Sequence, residues 1–155
     1  MAAGTVKWFA QGLHDLGNKI HDLDSDTFKM GIVTGVTPTV ATAAPHWGGT
    51  GTTNYATSQV VTTGTSYTGP KTCSSPTWTV GATGAVMDWA DTNFQMAQDA
   101  SGFTNGGYGI IYNDSDANKR AIAYLEISST NAASLVTGAV NITLSASGAL
   151  SLAQS

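Results

Sequence analysis

Between Met30 and Met87 the only formal charge is Lys71, and from Ile127 to the last residue no charge occurs. This charge-poor material most limits what the chain can fold into. Residues 37–84 are rich in Thr, Gly, Ser and Ala, broken by Pro38, Pro45, Pro70 and Pro76. Runs such as YATSQVVTTGTSYTG and PTWTVGATGAVMDW carry strand-forming Thr, Val, Tyr and Trp, with Gly every few residues. They read as long loops joined by short strands. Composition of this kind permits disorder, but Trp47, Tyr55, Tyr67 and Trp78 supply apolar anchors that argue for order.

The flanks are more regular. Val6, Phe9, Ala10, Leu13 and Ile20 recur at helical spacing with Thr5 as N-cap, predicting one amphipathic helix over about 5–20. Gly12 and Gly17 weaken it, each by up to about 1 kcal/mol relative to Ala, so packing must hold it. TFKMGIVTGV then alternates Phe28, Met30 and Ile32 against Thr27, Lys29 and Gly31 as a first strand. VMDWADTNFQMAQ reads as strand or short helix. GYGIIYND and RAIAYLEIS predict a hairpin with Asn113, Asp114, Asp116 and Asn118 in its loop. AVNITLS and ALSLA predict a second hairpin about ASG. At 155 residues this is one domain, 1–155, with C-terminal strands over about 86–153. The expected fold is mainly β: an antiparallel sandwich or barrel with one N-terminal amphipathic helix and long Thr/Gly-rich loops.

Charge also restricts partners. Charged residues are 10% of the chain, against about 25% in average domains. A net charge of −4 without clustered Lys and Arg argues against nucleic acid. The uncharged C-terminal stretch alternates and is interrupted by Ser, Thr, Asn and Gly, so it reads as strands and no membrane partner is expected. The opening residues lack a basic start followed by a long apolar core, so no export signal is expected. Cys73 has no partner for an intrachain disulfide and reads as a small buried hydrophobe.

The sequence offers three candidate chemistries. Asp22, Asp24 and Asp26 resemble the start of a calcium loop, yet Thr27 stands where the loop needs Gly and Val33 where it needs a carboxylate. A solvated chain reversal is the favoured reading, with these aspartates as the candidate metal residues. His14 and His21 lie seven apart, on one face if the helix reaches that far, where they suit a helix C-terminus. His46, Cys73 and Asp88 offer a base, nucleophile and orienter in principle, but no elbow, zincin or phosphate-loop motif accompanies them. No enzyme activity, cofactor or catalytic residue is expected. Trp47, Tyr55, Tyr67 and Trp78 are the candidate interaction residues: exposed, they would stack on sugar rings; buried, they would close a core or an interface.

The opening VKWFAQGLHDLGNKIHDLDSDTFKMGIVT, with YGIIYNDSDANKRAIAYLEIS and GAVNITLSASGALSL, resembles small structural virion proteins of tailed bacteriophages. The resemblance covers both ends of the chain and leaves about 37–84 unmatched. It implies a non-enzymatic capsid decoration or cement protein on the virion surface, made in the bacterial host cytoplasm. Its implied partner is the major capsid protein or another virion protein, with self-association as a dimer or trimer. A tail or neck component, or a host-surface or glycan-binding module, is the alternative. Under this reading the Thr/Gly-rich middle makes the contacts between subunits, and a stretch such as 48–58 is dispensable for folding.

Overall fold

The computed structural model describes residues 5–81, 84–145 and 148–153. In chain order the elements are β1 (Lys7–Trp8), α1 (Ala10–Gly17), β2 (Phe28–Val33), β3 (Pro45–His46), β4 (Thr53–Asn54), β5 (Lys71–Thr72), β6 (Ser74–Val80), β7 (Gly84–Ala90), β8 (Gln95–Met96), β9 (Tyr108–Asn113), β10 (Ala121–Glu126), β11 (Val140–Asn141) and β12 (Leu150–Ala153). Short 3-10 turns occupy Tyr55–Ser58 and Asp91–Phe94. The fold is mainly β and sandwich-like, with several antiparallel sheets, one helix near the N-terminus and no closed barrel among the described residues.

The main sheet has the order β1-β10-β9-β2-β5, every pair antiparallel. Its centre is β9, and every residue from Tyr108 to Asn113 is buried. An antiparallel strand with one wet face would alternate; this one does not because both faces of the sheet are covered. Ile111, Met30, Ile32 and Leu125 pack into the larger core with Met87, Met96 and Leu150 from the second layer, Phe94 from the 3-10 turn before β8 and Phe103 from the loop before β9. That layer consists of the sheet β12-β7-β6 and the pair β11-β8. Tyr108, Ile110, Tyr112 and Tyr124 point the other way, into a second core closed by Phe9, Trp47 and Tyr55. Phe9 and Ile110 are fully buried there. Truncating them to Ala should cost about 3–5 and 2–5 kcal/mol respectively, read as a fall in denaturant midpoint at unchanged slope.

The hairpin β9–β10 forms as expected, with its turn between Asn113 and Arg120. The N-terminal helix does not span 5–20. Lys7 and Trp8 find strand partners in Tyr124 and Ala123, and Phe9, extended at φ −74° and ψ 143°, donates its N–H to the Ile122 carbonyl. Pairing with the sheet edge satisfies backbone groups that a first helical turn would leave open. Phe9, not Thr5, is therefore the N-cap, without a side-chain cap. The helix ends in a Schellman arrangement: Lys19 takes φ 59° and donates to the Leu16 carbonyl, while Ile20 donates to the Asp15 carbonyl. Gly12, a weakness by propensity, is the contact point: a Cβ there would sit 2.5 Å from the Ile122 carbonyl oxygen.

The C-terminal hairpin is a second correction. Val140 and Asn141 pair with Met96 and Gln95, whereas Leu150–Ala153 pairs with Met87 back to Gly84. Each strand finds a partner already fixed in the second layer, so the two serve different sheets. The stretch 86–98 is a strand, then a 3-10 turn, then a two-residue strand.

Candidate functional site

The aspartate segment is a closed reversal. Asp22 N–H donates to Asp26 Oδ2 at 2.9 Å, and Asp26 N–H returns to the Asp22 carbonyl at 3.0 Å. Asp22 and Asp24 face solvent. The Ser25 hydroxyl, then Asp24, hold the Asp22 carboxyl below its ordinary range, and the hydrogen bond that Asp24 donates to Asp22 pushes Asp24 up. Among the described residues no group of three or more His, Cys, Asp or Glu side chains converges as a metal site would require. Asp26 instead turns inward, where its Oδ2 accepts from Asn113 Nδ2 at 2.6 Å.

That bond opens onto a buried polar cluster. Asn113 is fully buried at the end of β9. Its Oδ1 accepts the N–H groups of Ser115 and Asp116 at 2.9 and 3.1 Å, which fixes the amide orientation. Nδ2 must then be the donor to His21 Nδ1, 3.1 Å away. His21 lies beyond the helix and is buried, while His14 remains exposed on it, so the two do not share a helix face. Around them, buried Asp15 accepts from Gln11 at 2.8 Å and lies 3.8 Å from Arg120 Nε, and Arg120 also meets Asp116 at 3.5 Å.

Desolvation lowers the His21 pKa, outweighing Asp15, Asp116 and Asp26, which raise it; Arg120 lowers it further. The geometry agrees, since a proton on Nδ1 would face the amide N–H of Asn113. A pKa lowered on folding gives stability that is present above the unfolded value of 6.5 and lost as pH falls through the folded one. Asp99 behaves likewise further down: backbone N–H groups of Ser66, Ser101 and Thr65 hold its carboxyl at about 2, from 3.8. Chemical denaturation across pH should show stability declining from about 6.5 downward and again between about 4 and 2. Substituting His21 with Gln should remove only the first step.

The candidate interaction aromatics do not form a surface. Trp47, Tyr55 and Tyr67 are buried, and Trp78 is partly buried against the larger core. Trp47 stacks on Tyr112 with centroids 5.4 Å apart and planes at 3°. Tyr55 stacks on Phe9 at 5.9 Å. The Tyr67 hydroxyl accepts the Ile32 N–H at 2.8 Å, past the point where β5 stops pairing with β2. As stacking platforms three of the four are enclosed: Trp47 and Tyr55 cover the sheet's second face, and Tyr67 lies in the larger core. Residues 48–58 include Tyr55 and the Asn54 side chain, which accepts from Gly48 and Ala56, so this stretch closes part of a core and its deletion is expected to cost stability.

His46, Cys73 and Asp88 are engaged separately. Burial pushes the Cys73 thiol far above its ordinary range, which suppresses the thiolate, and Asp88 accepts from its neighbour Trp89 at 2.9 Å. His46 is buried in the short parallel pair β3–β4.

Two surface features were not read from the sequence. One is a groove of 410 Å³ lined by Thr5, Lys7, Thr37, Pro38, Tyr108, Tyr124 and Glu126. The signal was faint: Tyr124 and Glu126 two apart on β10, opposite Lys7 and Tyr108. The other is an overhang of the sheet β12-β7-β6. Leu150, Met87 and Trp78 form one cross-strand row over the core, and Leu152, Ala85 and Val80 form the next row on the same face. That row runs past the core, leaving Val80 93% and Leu152 46% exposed. Asp88 is the only charged residue in these three strands.

Among the described residues no helix is long and apolar enough to cross a membrane. No protein-family model matches the chain, and no curated protein or solved structure shows significant similarity to it.

Proposed function

We propose that the chain is a non-enzymatic structural protein of a bacteriophage virion, a capsid decoration or cement protein that binds the lattice of major capsid protein from outside. The observation that carries this reading is the overhang. An apolar row on a nearly uncharged sheet end, held rigid by the pairs Leu152–Ala85 and Ala85–Val80, has the character of an interface centre, where charge is depleted. A cement protein gains its hold from many repeated weak contacts, for which a flat apolar ledge serves better than a deep pocket. The resemblance of both chain ends to phage structural proteins points the same way. Self-association as a dimer or trimer fits lattice positions of matching symmetry.

Quantitative mass spectrometry of purified particles should find the protein at lattice copy number. Its absence from particles would refute the reading, and a few copies would move it to the tail or neck. Val80→Lys with Leu152→Lys, both at exposed positions, should leave the folding midpoint within about 0.5 kcal/mol of the parent per site and abolish capsid binding. Decoration that survives both changes would show that the overhang is not the contact.

A further inference from the structure

The groove at the rim of the second core has a chemistry of its own, independent of any place in a virion. Its floor is the end of the main sheet. Lys7 on β1 stands opposite Tyr124 on β10, and Glu126, two residues on, stands opposite Tyr108 on β9. These side chains are held in place. Phe9 packs on the Tyr124 ring with centroids 4.9 Å apart, and the Tyr108 hydroxyl donates to Glu126 Oε2 at 3.4 Å. Thr37, whose side chain hydrogen-bonds the Tyr108 hydroxyl, and buried Pro38 complete the lining.

The lining carries four hydroxyls, from Thr5, Thr37, Tyr108 and Tyr124, one ammonium and one carboxylate. The volume of 410 Å³ lies within the range of about 300–1,000 Å³ usual for small-molecule sites. Ion pairs among the described residues belong to Asp15, Asp114 and Asp116, which leaves Lys7 and Glu126 to face the groove with opposite charges. Their charges cancel, so neither an anion nor a cation is favoured as such. A hydroxyl both donates and accepts, and a wall of hydroxyls with one fixed acceptor and one fixed donor complements a ligand made of hydroxyls. Pro38 and the tyrosine ring edges give apolar surface for the C–H groups of such a ligand.

We infer that this groove is a saccharide-binding site for a neutral sugar, with Glu126 and Lys7 as its charged hydrogen-bonding partners and Tyr124 as its floor. The site differs from the aromatic loop residues that composition suggested, since those are enclosed in the core. A single sugar unit in an open groove binds at millimolar strength, and repetition of the site on an assembly would raise it by avidity.

The test is saturation-transfer NMR and titration of the intact chain with the methyl glycosides of glucose, galactose, mannose and N-acetylglucosamine, with glycine as the zwitterionic control. At least one glycoside should take up saturation at its ring protons and bind in the millimolar range. Glu126→Gln should weaken that binding about tenfold or more, and Tyr124→Phe about three- to tenfold, with unfolding midpoints near that of the parent. The conservative shapes of both variants keep the fold, and the unsubstituted protein decides the matter first. No transfer to any glycoside, binding of glycine in preference to sugars, or sugar binding indifferent to both variants would overturn the assignment. None of these results bears on copy number in particles.

Discussion

Gly31→Ala is expected to expel the Trp47 indole from the second core and cost about 3–5 kcal/mol. A Cβ at Gly31 would lie 2.1, 2.4 and 2.5 Å from Trp47 Cη2, Cζ3 and Cζ2. Tyr112 stacks on the ring almost parallel, so a shift away from Gly31 gives up that contact and part of the indole's burial. For a chain of this size each kcal/mol lowers the melting temperature by about 2–4 °C, so a fall of about 10 °C is expected. The clash has a signature: if Trp47 is the obstacle, Gly31→Ala and Trp47→Ala together will cost less than the sum of the two alone. A melting temperature and tryptophan emission equal to the parent's would mean that the indole does not lie on Gly31.

Asn113→Ala is the second large effect, about 3 kcal/mol or more. The single side chain, itself buried at the end of β9, serves buried His21 and the part-buried contacts to Asp26, Ser115 and Asp116. Removing it strands several polar groups together, and each buried one left unpaired costs about 1–3 kcal/mol. The change also removes the N–H that faces His21 Nδ1. Protonation of His21 should then become easier, and the decline in stability below pH about 6.5 should be shallower than in the parent. An Asn113→Asp variant separates the two effects, since it keeps the acceptors for Ser115 and Asp116 while offering His21 a carboxylate; its His21 should titrate higher. If neither variant moved the His21 titration followed by NMR, the amide would not be what keeps the ring neutral.

Local patterns were legible where the physics is local. The hairpin β9–β10 could be read because two apolar runs flank a turn of Asn, Asp and Ser, and the aspartate segment because Asp and Ser between a helix and a strand suit a chain reversal. The alternation of β2 was also read correctly, but its consequence was not. Opposite Phe28, Met30 and Ile32 lies the face of Thr27, Lys29 and Gly31. It is a second core, filled by Trp47 from a loop 16 positions away in sequence. Periodicity tells which residues share a face, and is silent on what covers it. The candidate interaction residues show the same silence: Trp47, Tyr55 and Tyr67 are anchors by type, and only the structure places them in a core, the second of the two fates that their type allows.

The sequence by itself determined the β character, the positions of the strongest strands, the chemistry of the turns and the poverty of charge. Those properties follow from side-chain type and short-range spacing. Only the tertiary structure decided that Lys7–Trp8 joins the sheet and shortens the helix, that the last two strands serve different sheets, and that Gly12 and Gly31 are sites of close approach. The groove and the overhang belong to the same class. Each depends on which distant segment lies alongside, and a strand's partner is set by the competition among all available edges and faces, which no short window of residues contains.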